Sequence, residues 1–366
     1  MWLSATVGGG PAAAAAIIAA SVLPLAFVGP PAALAVARGS RRRLMAAAQI
    51  GAGGALLLFL IGPLADVPPA MAATALLMGI TRAVFDATAA DVLLHLVARS
   101  RTHAAMSQLT RRFGAGQALG VAGVLALGAL FGPRGALGFA VAAALTGAAV
   151  TLSHSHHIEL RPEGVIPLPH AVRAGVRVAG GEPLLRGALL AGALSVAIGA
   201  ALSTILVLWL RNEVGLHAGL IPALALGFVG VRLVRPALRY GATRSGPRGL
   251  IASALTIQAA AALVAYAAGG VLLSAAAFAL SLASGAFVGA LISSAQRAAA
   301  PTAVAPGVAL VGGAVWASAG AGGAAVGAWL SLSVGMGATY LLLAAVALAA
   351  AGASLAPAIP RAVTHH

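Results

Sequence analysis

Three kinds of residue are scarce in this chain, which has no cysteine, no lysine and few charges of either sign. The lack of cysteine excludes disulfide bonds, thiolate metal sites and cysteine nucleophiles. Only 8% of the 366 residues are charged, whereas soluble domains carry roughly a quarter. Because so few charges cannot cover a soluble surface of this size, the composition excludes soluble enzymes, coiled coils and disordered chains.

Apolar residues take their place: 61% of the chain is hydrophobic, a further 47 residues are glycine, and the mean hydropathy is +1.01. A helix needs about 20 apolar residues to cross a hydrocarbon core of about 30 Å. Apolar blocks between arginine clusters and Pro/Gly breaks predict an all-α, polytopic transmembrane helix bundle of about eleven spans. The predicted spans are 11–37, 44–64, 70–97, 108–131, 135–153, 187–210, 219–238, 250–268, 271–295, 306–330 and 334–356.

The arginines indicate how these spans are oriented. The net charge is +15, from 22 arginines against 7 acidic residues, and most of the arginines fall in alternate loops. Only Arg134 and Arg211 fall in the opposite loops, and Arg82, Arg232 and Arg235 lie within spans. Since cytoplasmic loops concentrate arginine, we expect the N-terminus outside and the C-terminus in the cytoplasm. Alanine, glycine, proline and arginine in place of lysine indicate GC-rich coding, from which we expect a multi-pass protein of a bacterial cell membrane.

The longest gap between spans, 154–186, predicts the domain organisation. It separates a first half of five spans (1–153) from a second half of six spans (187–366) and forms a cytoplasmic loop between them. Within it, residues 169–186 predict a short amphipathic helix on the membrane surface, with three valines against lipid. A flexible tether explains the same mixture of turn and apolar residues, and the sequence leaves both readings open. The three valines are Val172, Val176 and Val178.

Five spans, a long basic loop and six further spans resemble the major facilitator superfamily, whose two six-helix halves are related by pseudo-symmetry. The segment Glu182–Leu216 is similar to the start of the second half in the drug- and siderophore-efflux branch, and Thr81–Val97 is similar to that branch's fourth helix. This alignment makes span 11–37 the family's second helix, so we expect the family's first helix to be absent. The resemblance covers nearly the whole chain and implies a transporter.

The segment Gly29–Met45 resembles the family's loop between its second and third helices. The matching residues are Gly29, Arg38, Arg41, Arg42 and Arg43. Ala37 stands where the family has an acid, which weakens the expected latch. The resemblance implies a gating loop that biases inward- and outward-facing states. The arginines also serve simply to orient the protein in the membrane, and both readings stay open.

Charged residues inside a span are costly, so each one needs a partner or a function. Arg82 and Asp86 lie four residues apart in span 70–97, which places them on one helix face within pairing distance. Asp91 and His95 repeat the spacing further along. We expect Arg82 and Asp86 to face the bundle interior, and we take all four as candidates for binding substrate or coupling. A purely structural ion pair is the other reading of the first two.

Two further residues are substrate or coupling candidates: Gln117, as a hydrogen-bonding group in the cavity, and Arg232, as a deep intramembrane charge. Arg235 is expected to reach the lipid headgroups. The loop cluster of His154, His156 and His157 lacks converging ligands for a metal, so we expect no metal site. No motif for a nucleotide phosphate or for an enzyme's catalytic residues is present, so we expect neither a cofactor nor an enzymatic activity.

Glycines are frequent in two spans of the chain. Gly116, Gly120 and Gly123 lie in span 108–131, where antiporters of the family carry a central proline and this chain has Val121. The small residues three and four positions apart predict close helix packing. The same packing is predicted for the glycines of span 306–330, which are Gly312, Gly313, Gly320, Gly322, Gly323 and Gly327.

Together these features predict a secondary active transporter that exports a small amphipathic solute by alternating access, with proton coupling as an open option. The alternative is a degenerate, non-transporting membrane protein of the same fold. We expect a monomer that contacts lipid and a small-molecule solute but no nucleic acid.

Overall fold

The computed structural model describes residues 10–29, 31–32, 40–61, 68–96, 102–154, 168–213, 246–267, 270–281, 283–284 and 305–355. Within these ranges the secondary structure is helical, with no strand. This confirms the all-α prediction. The helices are α1 (Gly10–Phe27), α2 (Arg41–Ile61), α3 (Pro68–Leu96), α4 (Thr102–His154), α5 (Leu168–Gly181), α6 (Pro183–Asn212), α7 (Pro247–Tyr266), α8 (Val271–Ser281), α9 (Ala305–Ser333) and α10 (Met336–Leu355).

Helix α4 is two helices joined at Gly132, whose φ of 67° and ψ of −164° are not helical. Such a conformation is essentially restricted to glycine. A Cβ on Gly123 would meet the ring of Phe139, although residues 16 apart in a straight helix are about 24 Å apart. The chain therefore reverses at Gly132, and α4 is a helix hairpin. The predicted spans 108–131 and 135–153 are its two segments.

The second half has a hairpin with the same turn chemistry. Gly335, with φ of 85°, separates α9 from α10, as Gly132 separates the two segments of α4. In both cases a positive φ, which glycine adopts without a steric penalty, ends one long apolar helix immediately before the next begins. The final two spans of each predicted half are therefore connected in the same way.

Eight helices in the described ranges are long and apolar enough to cross a membrane, in agreement with eight of the predicted spans. Span 108–131 is helical but is not one of the eight. Span 219–238 lies outside the described residues, and span 271–295 is described only as far as residue 284. The eight are Gly10–Phe27, Arg41–Leu60, Pro69–Thr88, Arg134–Ser153, Leu185–Leu206, Arg248–Tyr266, Leu310–Ser333 and Met336–Leu355.

Helix α1 connects the helices of the first predicted half to those of the second. On one side it packs against α3, and on the other it packs extensively against α9 and also contacts α6. Ala15 and Ile18 of α1 form a buried cluster with Ala324 and Ala328 of α9, and Ala200 of α6 packs on it. Since four of these five side chains are methyl groups, the three helix backbones lie close together.

The largest apolar core lies among α6, α7 and α10, which supply most of its buried residues. At one end of this core Trp209 stacks on Tyr266, with ring centroids 6.3 Å apart, and meets Tyr340 edge-on at 5.6 Å. The Trp209 indole Nε1 donates a hydrogen bond to the Ala265 carbonyl oxygen at 3.0 Å. These contacts tie the end of α6 to the end of α7 and the start of α10.

Residues 168–181 form a helix, α5, so the flexible-tether reading is wrong for this part of the loop. Helix α5 packs against α9 and α6. Val178 lies in an apolar cluster with Leu185 and Val308, whereas Val176 is exposed. The expectation that all three valines face lipid is therefore wrong for Val178, because docking on the bundle buries that face of the helix. The proposed division into halves at 154–186 stays a prediction.

Candidate functional site

The ion pair predicted from the i, i+4 spacing forms on α3. Arg82 Nε lies 3.4 Å from Asp86 Oδ2. Two close helix contacts hold this part of α3: a Cβ on Gly79 would meet the Ser21 carbonyl oxygen of α1 at 2.6 Å, and a Cβ on Gly51 of α2 would meet Thr81 at 2.9 Å. Because small residues meet at both contacts, α1 and α2 pack closely on α3 in the turn that precedes the pair.

The pair is exposed rather than enclosed by neighbouring helices. The side chain of Arg82 is 68% exposed and that of Asp86 is 55% exposed, whereas Ala83 and Thr88 of the same helix are buried. The packed faces of α3 carry small residues, and these two charges lie on its open face. The pairing is as predicted, and whether the pair faces the bundle interior stays a prediction. In a membrane, an open face contacts either lipid or a water-filled cavity.

The other predicted residues of this site are only partly described. The backbone of α3 continues through Asp91 and His95, and the first segment of α4 contains Gln117. The side chains of these three residues lie outside the described part of the structure, as does the whole of Arg232. Their roles as substrate or coupling residues stay predictions.

The predicted gating loop ends at the start of α2. Ser40 caps this helix, because its Oγ accepts a hydrogen bond from the backbone N–H of Arg43 at 3.4 Å. The run Arg41–Arg43 is therefore the first turn of α2, and Arg41 is buried, at 4% exposed. Gly29 lies beyond the end of α1 with open space where a Cβ would be. Arg38 and Ala37 lie outside the described residues.

Three basic residues at a helix N-terminus oppose the positive end of the helix dipole. An acid in this loop would relieve that repulsion, and Ala37 cannot. The arrangement agrees with a weakened latch, although the function of the loop as a gate stays a prediction. The sequence did not predict that Arg41, alone among the three arginines of this turn, is buried.

Two glutamines join helices within the predicted halves, and one of them, Gln258, is buried. Gln258 of α7 donates from Nε2 to the Ser195 carbonyl oxygen of α6 at 2.6 Å. The amide lies beside Gly199 of α6, where an added Cβ would be 3.2 Å from Nε2. The Oε1 atom of Gln258 is buried without a hydrogen-bond partner. In the first half, Gln49 of α2 accepts through Oε1 from the Thr151 hydroxyl of α4 at 3.2 Å. The sequence analysis did not predict the hydrogen bond of Gln49.

The predicted glycine packing is found at some positions and not at others. On α9, a Cβ on Gly312, Gly320, Gly323 or Gly327 would meet α6, whereas Gly313 and Gly322 face open space. On the first segment of α4, Gly123 packs on the Phe139 ring and Gly120 faces open space, while the surroundings of Gly116 lie outside the described part. His154 ends α4, and the rest of the histidine cluster is likewise not described.

Eight helices of membrane-spanning length, one of which carries the Arg82–Asp86 pair, define a polytopic helical membrane protein. The model of the Major Facilitator Superfamily matches residues 1–321. The chain belongs to the major facilitator superfamily, and it is therefore a membrane transporter by family rather than an enzyme.

Solved transporters share this fold over nearly the whole chain. The crystal structure of the nucleoside transporter NupG superposes with a TM-score of 0.72 at 11% identity, covering 96% of this chain and 92% of that one. A POT family transporter in complex with a thioalcohol-conjugated peptide also gives 0.72 at 11% identity, covering 94% and 87%. An auto-inhibited POT family peptide transporter gives 0.67 at 12% identity, covering 93% and 87%. At such low identity the likeness shows the fold alone. No curated protein matches the chain.

Proposed function

We propose that this chain is a secondary active transporter that exports a small amphipathic solute across the bacterial cell membrane by alternating access. In this proposal the Arg82–Asp86 pair lies on the wall of a water-filled central cavity, where it binds the polar group of the solute. The single observation that carries the proposal is the exposure of this pair on a membrane-spanning helix.

The cost of charge in lipid decides between the two environments for the pair. On membrane-insertion scales, a charged side chain near the middle of a helix costs about 2.5–3.5 kcal/mol. Pairing lowers that cost but leaves the unpaired hydrogen-bonding atoms of both side chains exposed. Facing a cavity removes the cost because water hydrates these atoms, so the cavity is the favoured environment for the open face of α3.

An exposed pair of this kind can exchange partners with a solute. The Arg82 guanidinium offers several N–H donors to an anionic group, and the Asp86 carboxylate offers acceptors to a cationic one. Since the two groups already satisfy each other at 3.4 Å, a solute bearing one charge competes with the pair and releases the other residue. Proton coupling through this site stays an open option of the proposal.

Alternating access needs two bodies that move against each other around the site. The described contact between α1 and the helices α9 and α6 suits such motion, because it consists largely of alanine and glycine residues. Ala15, Ala324 and Ala328 present only methyl groups, and even a Cβ added at Gly320 would lie 3.6 Å from Val22 of α1, an ordinary contact distance. Export as the direction of transport is supported by the resemblance of Glu182–Leu216 to the efflux branch.

The test is retention of a panel of fluorescent amphipathic dyes by cells that make the chain, with nucleosides and short peptides included because the solved relatives carry these. We expect wild-type cells to retain less of at least one compound, and Arg82→Gln to abolish the difference at unchanged protein level. Exchanging the charges, Arg82→Asp with Asp86→Arg, keeps a pair and should restore part of the activity. Arg134→Gln, at an exposed arginine of α4, is the matched control and should behave as wild type. Equal retention with and without the wild-type chain would favour the non-transporting alternative.

A further inference from the structure

Helix α5 presents three different faces along its fourteen residues. One face, with Gly175, Val178 and Ala179, is packed against the bundle. The opposite face carries the exposed side chains of Arg173 and Arg177, one turn apart. Val176, 54% exposed, lies between the packed face and the basic face.

The position of α5 places these faces at the edge of the membrane. Only Glu182 separates α5 from α6, and the apolar span of α6 begins at Leu185. A helix that ends four residues before a membrane span lies at the level of the headgroups, since four residues reach at most about 14 Å. The arginine distribution of the chain predicts that this end of α6 lies on the cytoplasmic side, where anionic lipids concentrate.

We propose that the basic face of α5 binds anionic phospholipid headgroups and that this binding fastens α5 against α9 and α6. Arg173 and Arg177 supply two positive charges on one face, and α5 contains no acidic residue to neutralise them. Arginine suits the phosphodiester of a lipid headgroup because its planar fork donates two hydrogen bonds to two oxygens.

Val176 distinguishes a lipid surface from other polyanions as the ligand of this face. An exposed valine beside two arginines gives the chemistry of an interfacial helix, with apolar side chains in the acyl region and basic ones among the phosphates. On a basic face that contacts only water, an exposed valine gains nothing, whereas at a lipid surface it is buried among acyl chains. With its third face packed on the bundle, α5 connects the leaflet directly to α9, the helix that also packs against α1.

The experiment uses the full chain in vesicles of phosphatidylcholine with a graded fraction of phosphatidylglycerol. Because the chain has no cysteine, Val176→Cys carries a single environment-sensitive fluorophore. We expect its emission to shift to the blue as the anionic fraction rises, and lipids brominated on their acyl chains to quench it. High salt should reverse the shift, because it screens exposed charges.

Two variants separate α5 from the general positive charge of the protein. Arg173→Gln with Arg177→Gln should lower the equilibrium constant for seating α5 on the anionic surface by about fivefold for each arginine removed. The blue shift should therefore be largely lost at phosphatidylglycerol fractions that give it in the wild-type chain. Arg248→Gln, at an exposed arginine at the start of α7, is the matched control and should leave the titration unchanged. A wild-type emission that does not depend on the anionic fraction, or an equal loss in the Arg248→Gln variant, would overturn the proposal. Neither result depends on whether the chain transports a solute.

Discussion

Gly323 of α9 lies directly against Ala197 of α6, so that a Cβ at position 323 would meet the Ala197 carbonyl oxygen. One turn further along, a Cβ on Gly327 would lie 2.7 Å from the Cα of Ala201. Backbone is in contact with backbone at both positions, which is the geometry that small residues permit between membrane helices. The packing of α9 on α6 therefore depends on the absence of two particular side chains.

Substituting Gly323 by alanine should destabilise the folded chain. The added methyl group meets main-chain atoms, which cannot rotate away as a side chain could, so α9 must move off α6 and lose contacts along its length. Overpacking of this kind costs typically about 1–3 kcal/mol. We expect a lower midpoint of thermal unfolding in detergent and less folded protein in the membrane.

Gly322→Ala is the control for that substitution. Gly322 is the adjacent residue on the same helix and faces open space, so alanine should be neutral or slightly stabilising there because it favours the helix. Equal destabilisation by both substitutions would show that helix geometry, and not the contact with Ala197, decides the result.

These glycines show how far the sequence predicts the structure. Spacing indicates that α9 packs closely on a neighbour, but it does not separate Gly323 from Gly322, because an all-apolar helix gives no amphipathic period to fix its facing. The break at Gly132 could be predicted, since Gly-Pro between two apolar blocks indicates the end of a helix. The sequence predicted only part of the behaviour of α5. An arginine pair four residues apart among apolar residues fits an amphipathic helix, whereas its partner α9 lies more than 120 residues away in the sequence.

For the candidate site too, local features were predicted from the sequence and contacts between helices were not. The i, i+4 rule predicted that Arg82 and Asp86 pair, because helix geometry is local. Their exposure depends on which faces of α3 the contacts at Gly79 and Gly51 occupy, and those contacts come from helices distant in sequence. Gln49 and Gln258 were not separable from other glutamines, because a hydrogen bond between helices leaves no local pattern.

The environment of the open face of α3 can be measured with cysteines. We expect Asp86→Cys to react with a small, charged, water-soluble thiol reagent, since the proposed cavity admits water. Leu77→Cys, at an exposed apolar position on a different face of α3, should react slowly because lipid excludes the reagent. Equal, slow reaction at both positions would place the pair against lipid and contradict the cavity.

The predicted orientation can be read from the two ends of α6. Arg177 lies just before this helix and Glu213 just after it, and both are exposed. A helix of 30 residues is about 45 Å long, so the two positions lie on opposite sides of the membrane. An impermeant thiol reagent added to intact cells should label Glu213→Cys and not Arg177→Cys. The reverse labelling would invert the topology, including the position of both termini.

The central claim is that this chain alone moves a solute across a membrane without ATP. The most direct test is flux of the responsive compound in vesicles containing only the purified chain, with and without an imposed pH gradient. The account predicts flux that saturates with solute concentration, is lost in Arg82→Gln, and is partly recovered when the charges of Arg82 and Asp86 are exchanged. Flux from the wild-type chain equal to that of protein-free vesicles, for every compound and both with and without the pH gradient, would contradict it.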